Sequence, residues 1–161
     1  MPSTARALVL GAGLLLVVPA AAADDFARGL SAYNAAEYET AFDAWYPLAE
    51  ENDPKAQAAV AFLYLKGLGV RQDDARAAEW YRRAAQLGRP EAQFFLGTLY
   101  YLGRGVPQSD KLAHVWCEIA LAGGIPAGLD CRDAASARMT QGEVRAAYRM
   151  AAEWLERGQS R

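Results

Sequence analysis

A register of 36 residues constrains this chain more than any other feature of its sequence. Ala56-Gln57 returns as Ala92-Gln93. In the same phase Val60 meets Leu96, Leu63 meets Leu99, and Tyr64 meets Tyr100. Gly67 and Gly69 meet Gly103 and Gly105, and Val70 meets Val106. Asp74 meets Asp110, Ala77 meets Ala113, Trp80 meets Trp116, Ala84 meets Ala120 and Gly88 meets Gly124. Self-similarity at a fixed period of this size marks a stacked array. Each unit of such an array is one supersecondary element that buries its apolar face only against its neighbours.

Each unit reads as two helices. Pro90 suits a first helical position. Ala92, Leu96, Leu99 and Tyr100 follow at i, i+4, i+7 and i+8, on one helical face. Gly103-x-Gly105 ends that helix, because glycine takes left-handed dihedrals cheaply. A second helix is predicted from about Asp110, with Ser109 or Asp110 able to cap it, as Asp73 or Asp74 can one unit earlier. Ala113, Trp116 and Ala120 form its inner stripe, with the tryptophans of both units expected as wedges in the core.

The ends differ from the middle. Upstream, Gly29, Tyr33, Tyr38, Ala41, Trp45, Leu48 and Pro54 indicate a leading helix pair with a tighter turn at 34–37. Downstream the register fails after Gly124. Residues 127–139 still read as helix. Thr140-x-x-Glu143 has the spacing of a capping box, and a last helix over about 141–157 carries Val144, Ala147, Tyr148, Ala151 and Leu155 on one face. The expected architecture is all-α, about eight short helices in four pairs. It has a leading unit at 24–53, full units at 54–89 and 90–125, and a capping pair at 126–161. Terminal units are atypical because one side must meet water.

Composition narrows the chemistry. Alanine is about a fifth of the 161 residues, which favours helix, and alternating β-branched runs are absent. Lys+Arg is 17 against 19 Asp+Glu, so no basic stripe exists to neutralise phosphates and a nucleic-acid partner is not expected. One histidine and two cysteines cannot make a four-ligand zinc site, and no metal or other cofactor is expected. His114 and Cys117 stand i, i+3 on one helix with Asp110 nearby, which reads as a surface histidine beside a capping residue. No nucleophile elbow surrounds any of the serines. The Gly-x-Gly loops follow no strand and are accounted for by the repeat, not by phosphate binding. The pairs Glu37/Glu39, Glu50-Glu51 and Asp73-Asp74 read as caps and solvated helix faces. No catalytic residue is assigned.

Residues 1–23 have the layout of a secretory signal peptide. Arg6 supplies the positive start, Ala7 to Val18 is an uncharged apolar run broken at Pro19, and Ala21-Ala22-Ala23 offers a small-residue cleavage site before Asp24. A spanning helix needs about 20 apolar residues, so cleavage is expected and stable membrane insertion afterwards is not. The mature chain, without Arg6, would carry 16 basic and 19 acidic residues, a net charge of 16 − 19 = −3. Its expected location is the periplasm or the exterior, and a monomer is expected.

With these motifs in place the units are similar to a known family. LYLKGLGVRQDDARAAEWYRRAAQLGRPEAQ and LYYLGRGVPQSDKLAHVWCEIALAGG resemble Sel-1-like repeats, relatives of the tetratricopeptide repeat. The matching elements are Ala-Gln, Leu-Tyr, the Gly-x-Gly-Val loop, an acidic residue, Ala, Trp-Tyr and Ala-Ala. Cys117 departs from this pattern where Tyr81 keeps it, and Leu121 replaces one of the paired alanines. GLSAYNAAEYETAFDAWYPLAE looks like a degenerate leading unit. The resemblance implies a right-handed superhelix of helix pairs whose concave groove binds a peptide or another protein. Two other roles are linked to relatives: binding or hydrolysis of β-lactams among cysteine-rich members, and regulation of a sensor kinase or a polysaccharide-secretion system.

Two sets of residues carry the remaining expectations. Cys117 and Cys131 lie on neighbouring helices. In an oxidising compartment they would form a disulfide, as cysteine-rich relatives staple their helices; the alternative is two buried free thiols acting as small apolar residues. Phe62, Leu65, Phe95, Thr98 and Tyr101 lie off the stripe that closes each unit. They are expected to point into the groove, with Phe62 and Thr98 adjacent across units, as aromatic anchors for a partner. Alternatively, neighbouring units bury them.

The leader makes a direct prediction. Mass spectrometry of the exported protein should give a chain starting within one or two residues of Asp24, and recovery of Met1 or Pro2 on the mature protein would contradict it.

Overall fold

A computed structural model describes residues 20–159. The expected leader falls mainly on residues 1–19, outside the described residues. Eight helices follow one another: α1 (Ala20–Asn34), α2 (Tyr38–Glu50), α3 (Pro54–Lys66), α4 (Asp74–Gln86), α5 (Pro90–Leu102), α6 (Asp110–Ala122), α7 (Gly128–Ser136) and α8 (Gln141–Gln159). The described residues contain no strand. Each of α1 to α6 packs against the helix that follows it, which is the connectivity of a solenoid.

Short polar side chains start these helices. Asp53 precedes Pro54 and accepts from the Lys55 and Ala56 amides at 2.8 and 2.9 Å. Asp73 accepts from the Arg76 amide, and Ser109 accepts from the Leu112 amide one unit later. Thr140 and Glu143 make the reciprocal bonds of a capping box, with Glu143 Oε2 accepting from the Thr140 amide at 2.8 Å and Thr140 Oγ1 accepting from the Glu143 amide at 3.3 Å.

Two contacts recur at each junction between units. Gln57 and Gln93 are buried, and each donates its side-chain amide to the carbonyl eight residues earlier, Ala49 at 3.1 Å and Ala85 at 3.2 Å. Each carbonyl lies in the last turn of the preceding unit, where it also accepts a turn amide, Asn52 N–H on Ala49 and Gly88 N–H on Ala85, so the glutamine adds a second donor that spans the junction. The second contact is made by the loop. Gly69 and Gly105 have φ of +68°, and a Cβ on either would strike backbone. For Gly69 that backbone is the Tyr38–Glu39 peptide at the start of α2; for Gly105 it is the Asp74–Ala75 peptide at the start of α4. The loop of each unit thus sits directly on the second helix of the unit before it.

The main core runs from Ala32 to Leu99 and includes Trp45, Val60, Leu63, Trp80, Tyr81 and Leu96. Alanines at 41, 56, 77, 84 and 92 are fully buried there and let the helix axes approach closely. Trp80 belongs to this core. Trp116 is half-buried and bridges to a second, smaller cluster of Val115, Ile119, Ala147 and Ala151. It meets Trp154 edge-on at 5.8 Å.

The last two helices do not repeat the hairpin of the earlier units. α7 packs on α6 and α5, whereas α8 docks on α6. α7 has nine residues, and a Cβ on its Gly128 would meet the Cys117 carbonyl and Leu121, so α7 lies tightly against α6. A Cys117–Cys131 disulfide joins the two helices, with the Cα atoms 5.9 Å apart. Closing a loop of this size stabilises a fold by about 3 kcal/mol.

The glycine contacts generate a paired prediction. Gly124 also has a positive φ, +92°, but open space surrounds its missing Cβ. Gly124→Ala should cost only the left-handed backbone penalty of about 1–2 kcal/mol. Gly105→Ala adds a clash with the Asp74 carbonyl and should cost about 3 kcal/mol or more. Urea unfolding of the two variants measures the difference, and equal losses would refute the contact.

Candidate functional site

The first helices of the units, α1, α3 and α5, present one shared face. Counted back from their ends at Asn34, Lys66 and Leu102, three positions spaced i, i+4, i+7 align. These are Phe26, Leu30 and Tyr33 in α1, Ala58, Phe62 and Leu65 in α3, and Phe94, Thr98 and Tyr101 in α5. The alignment uses a spacing of 32 residues between α1 and α3 because the turn joining α1 to α2 is shorter than the Gly-x-Gly loop. Phe26, Tyr33, Ala58, Phe62, Phe94, Thr98 and Tyr101 are half-buried, and Leu30 is 46% exposed. Tyr33 and Phe62 touch edge-on across units at 6.2 Å.

The five residues expected to line the groove have different environments. Phe62, Thr98 and Tyr101 share the face. Leu65 does not offer an open surface: it is 9% exposed and packed in the main core. Phe95 also departs from the expectation, because its ring stacks on buried Tyr81 at 5.1 Å and ties α5 to α4. Tyr101 is covered on one side by Arg138, whose guanidinium lies 4.1 Å from the ring centroid and donates to the phenol oxygen at 2.8 Å. Thr98 donates to the Phe94 carbonyl. Phe26, Leu30 and Phe94 were missed by the sequence reading. Their signal was the alignment of helix ends, which the strict 36-residue register hides in the short leading unit.

The one histidine of the chain is not at the surface. His114 is fully buried between α6, α7 and α8. Its Nδ1 lies 2.8 Å from Ser136 Oγ. The Ser136 hydroxyl donates to the Arg132 carbonyl at 2.8 Å, so it accepts from His114 Nδ1–H. That leaves Nε2 unprotonated, buried, and without a hydrogen-bond partner among the described residues. The edge of Tyr148 meets the imidazole at 4.6 Å. Around it, Arg132 donates to Glu118 at 3.0 Å and to Asp133 at 2.7 Å, with its side chain only 17% exposed. Burial opposes the charge on Arg132, but these two carboxylates more than offset it and its pKa is raised. The serine is committed to a carbonyl and no carboxylate orients the ring, so this pair works as a structural tie among three helices.

The chain matches the Sel1 repeat at residues 54–88, 90–125 and 141–160, more than half its length. It belongs to the Sel1 repeat family. A Sel1 repeat protein from Oxalobacter formigenes is 31% identical, with a TM-score of 0.64, over 70% of this chain and 87% of that one. A protective antigen of uropathogenic Escherichia coli strains, displaying an SLR fold, superimposes with a TM-score of 0.79 at 26% identity over 84% of this chain. The match spans 30% of that longer antigen. Cysteine rich protein B of Helicobacter pylori shares the fold at 20% identity and a TM-score of 0.55, over 71% of this chain and 97% of that one. No curated protein matches the chain. The Sel1 array is a repeat scaffold, and no helix among its described residues is long and apolar enough to cross a membrane.

Burial of His114 sets a pH dependence. Desolvation pushes its pKa below 6.5 and Arg132 adds to this, while Glu118 and Asp133 act in the opposite sense. The folded state therefore favours the neutral ring. The stabilisation is fully present above the unfolded pKa of about 6.5 and is lost as pH falls toward the lower folded value. His114→Asn should flatten the fall in melting temperature just below pH 6.5 relative to the parent. An imidazole titrating at or above 6.5 by NMR would contradict this.

Proposed function

We propose that this Sel1 array is exported and holds a partner protein or peptide on the face shared by α1, α3 and α5. One observation carries the reading: the apolar strip of Phe26, Leu30, Phe62 and Phe94 continues across three units and keeps solvent exposure. Leu30 is exposed, and Phe94 is half-buried and lies outside the main core, whereas Phe26 and Phe62 also pack against it, Phe26 stacking on Trp45 at 5.6 Å. Half-exposed aromatics on a rigid scaffold act as anchors, since little side-chain entropy is lost when they are covered. Family membership supports a scaffold role in protein–protein interaction. The leader at 1–23 and the Cys117–Cys131 disulfide support an oxidising location such as the periplasm.

The strip extends along units stacked side by side, so the occupant is a segment that crosses helices, with apolar side chains facing the strip. Tyr101 and Arg138 bound one end of it and add a polar contact. The partner is bound without chemistry in this reading, and no reaction is assigned.

A photo-crosslinking residue placed at Leu30 or Phe94 should capture one protein in the native envelope, and one placed at exposed Glu79 should not. Leu30→Asp and Phe94→Ala should each weaken that capture about tenfold, or about 1.4 kcal/mol, with the melting temperature nearly unchanged. Normal capture by both folded variants would place binding elsewhere.

A further inference from the structure

A second surface has features that the repeat does not need. Between α2, α3 and the start of α4 lies a cleft of about 650 Å³, lined by Phe42, Tyr64, Val70, Arg71, Gln72, Asp73 and Arg76. One wall is aromatic: Phe42 meets Tyr64 edge-on at 5.5 Å and Tyr46 at 5.1 Å. A cationic group joins this wall. Arg76 lies 5.5 Å from the Tyr64 ring centroid and donates to its phenol oxygen at 3.2 Å. Asp73 is partly neutralised, because it caps α4 through the Arg76 amide and pairs with the Arg76 guanidinium at 3.5 Å. Gln72 is held by the Leu65 carbonyl and Asp74. Nearby Glu50 adds negative charge beside Tyr46 and, after burial, helps raise the pKa of that phenol. The lining therefore has two guanidinium groups against one carboxylate.

The next unit shows what the fold itself requires here. It closes the equivalent loop with the same backbone bond, Ser109 to the Tyr100 carbonyl, as Asp73 makes to the Tyr64 carbonyl. Tyr64, Val70 and Gln72 keep their identity there as Tyr100, Val106 and Gln108. Phe42, Arg71 and Arg76 do not: 36 residues later stand Ala78, Pro107 and Leu112. The next unit thus closes without an arginine or phenylalanine at these three positions, its Tyr100 phenol accepting instead from Arg82 at 3.4 Å, whereas Phe42, Arg71 and Arg76 converge on one cleft beside Tyr64.

We infer that this cleft binds a carboxylate carried beside an apolar or aromatic group, with Arg71 and Arg76 on the carboxylate and Phe42 and Val70 against its neighbour. Guanidinium groups match a carboxylate with paired N–H donors, and an apolar wall beside them limits competition from water. The same chemistry is presented by an acidic residue in a peptide and by a small organic acid. This site goes beyond the binding strip of the first helices and stands or falls independently of it.

NMR titration of the ¹⁵N-labelled protein tests the inference. The probes are a capped Gly-Phe-Glu-Gly peptide, its Gly-Phe-Gln-Gly counterpart, and 3-phenylpropionate. The glutamate peptide should give saturable shifts at the Val70, Arg71, Gln72 and Arg76 amides and none at Val106, Gln108 and Leu112. The glutamine peptide should bind about tenfold more weakly, a difference of about 1.4 kcal/mol. Arg71→Pro with Arg76→Leu, the residues of the next unit, should abolish the shifts, and Arg71→Gln alone should weaken them if the double variant misfolds. Tighter binding of the peptide than of 3-phenylpropionate identifies an acidic protein segment as the source, and equal binding identifies a small acid. Equal responses to the glutamate and glutamine peptides, no response at millimolar concentration, or a response unchanged by the substitutions would each overturn the inference.

Discussion

The contact of each Gly-x-Gly loop with the start of an earlier helix sets the spacing on which the rest of the molecule depends. Gly69 lies on the Tyr38–Glu39 peptide and Gly105 on the Asp74–Ala75 peptide, close enough that no other residue fits. The buried amides of Gln57 and Gln93 lock the other end of each junction to Ala49 and Ala85. With both ends held, the alanine stripes are brought into contact and the aromatic residues have a defined wedge to fill. A repeat array has few long-range contacts to average over, so each junction must be specified by its own few residues.

Tolerance elsewhere follows from that specification. At the end of the second helices, Gly88 and Gly124 take a left-handed conformation, and Asn52 takes it in the leading unit. Asparagine is the usual substitute where a left-handed residue is needed without close packing, and Gly88 and Gly124 show open space at that place. The contrast with Gly69 and Gly105 separates a backbone requirement from a packing requirement. The C-terminal cap uses different means. The disulfide, Arg132 and His114 tie α6, α7 and α8 together.

The same economy defines where function has room to reside. Positions bound to the junctions are committed to folding. Positions that differ between units at equivalent places, such as Leu30, Phe62 and Thr98, or Arg71 and Pro107, are released from that duty. A repeat provides a partial internal control: a side chain absent from the neighbouring unit is not needed by the shared junctions, although it can serve a local contact, as His114, Cys117 and Phe95 do.

Much of the architecture was legible in the sequence because its signals are local. Helix starts at Asp73, Ser109 and Thr140, the glycine stops, the apolar stripes and the 36-residue period are set by spacing along one or two helices. What lies across a junction was not legible. A lone histidine two-thirds of the way along the chain reads as a surface residue, yet α7 and α8 bury it completely. Phe95 reads as a groove residue, yet Tyr81 of the preceding helix stacks on it, and Leu65 is drawn into the core. The docking of α8 on α6 has no counterpart in the earlier units to read it from. Sequence periodicity determines which residues share a face of one helix. Which of those faces is covered depends on the angle and offset at which the next helices arrive, and only the tertiary structure decides that.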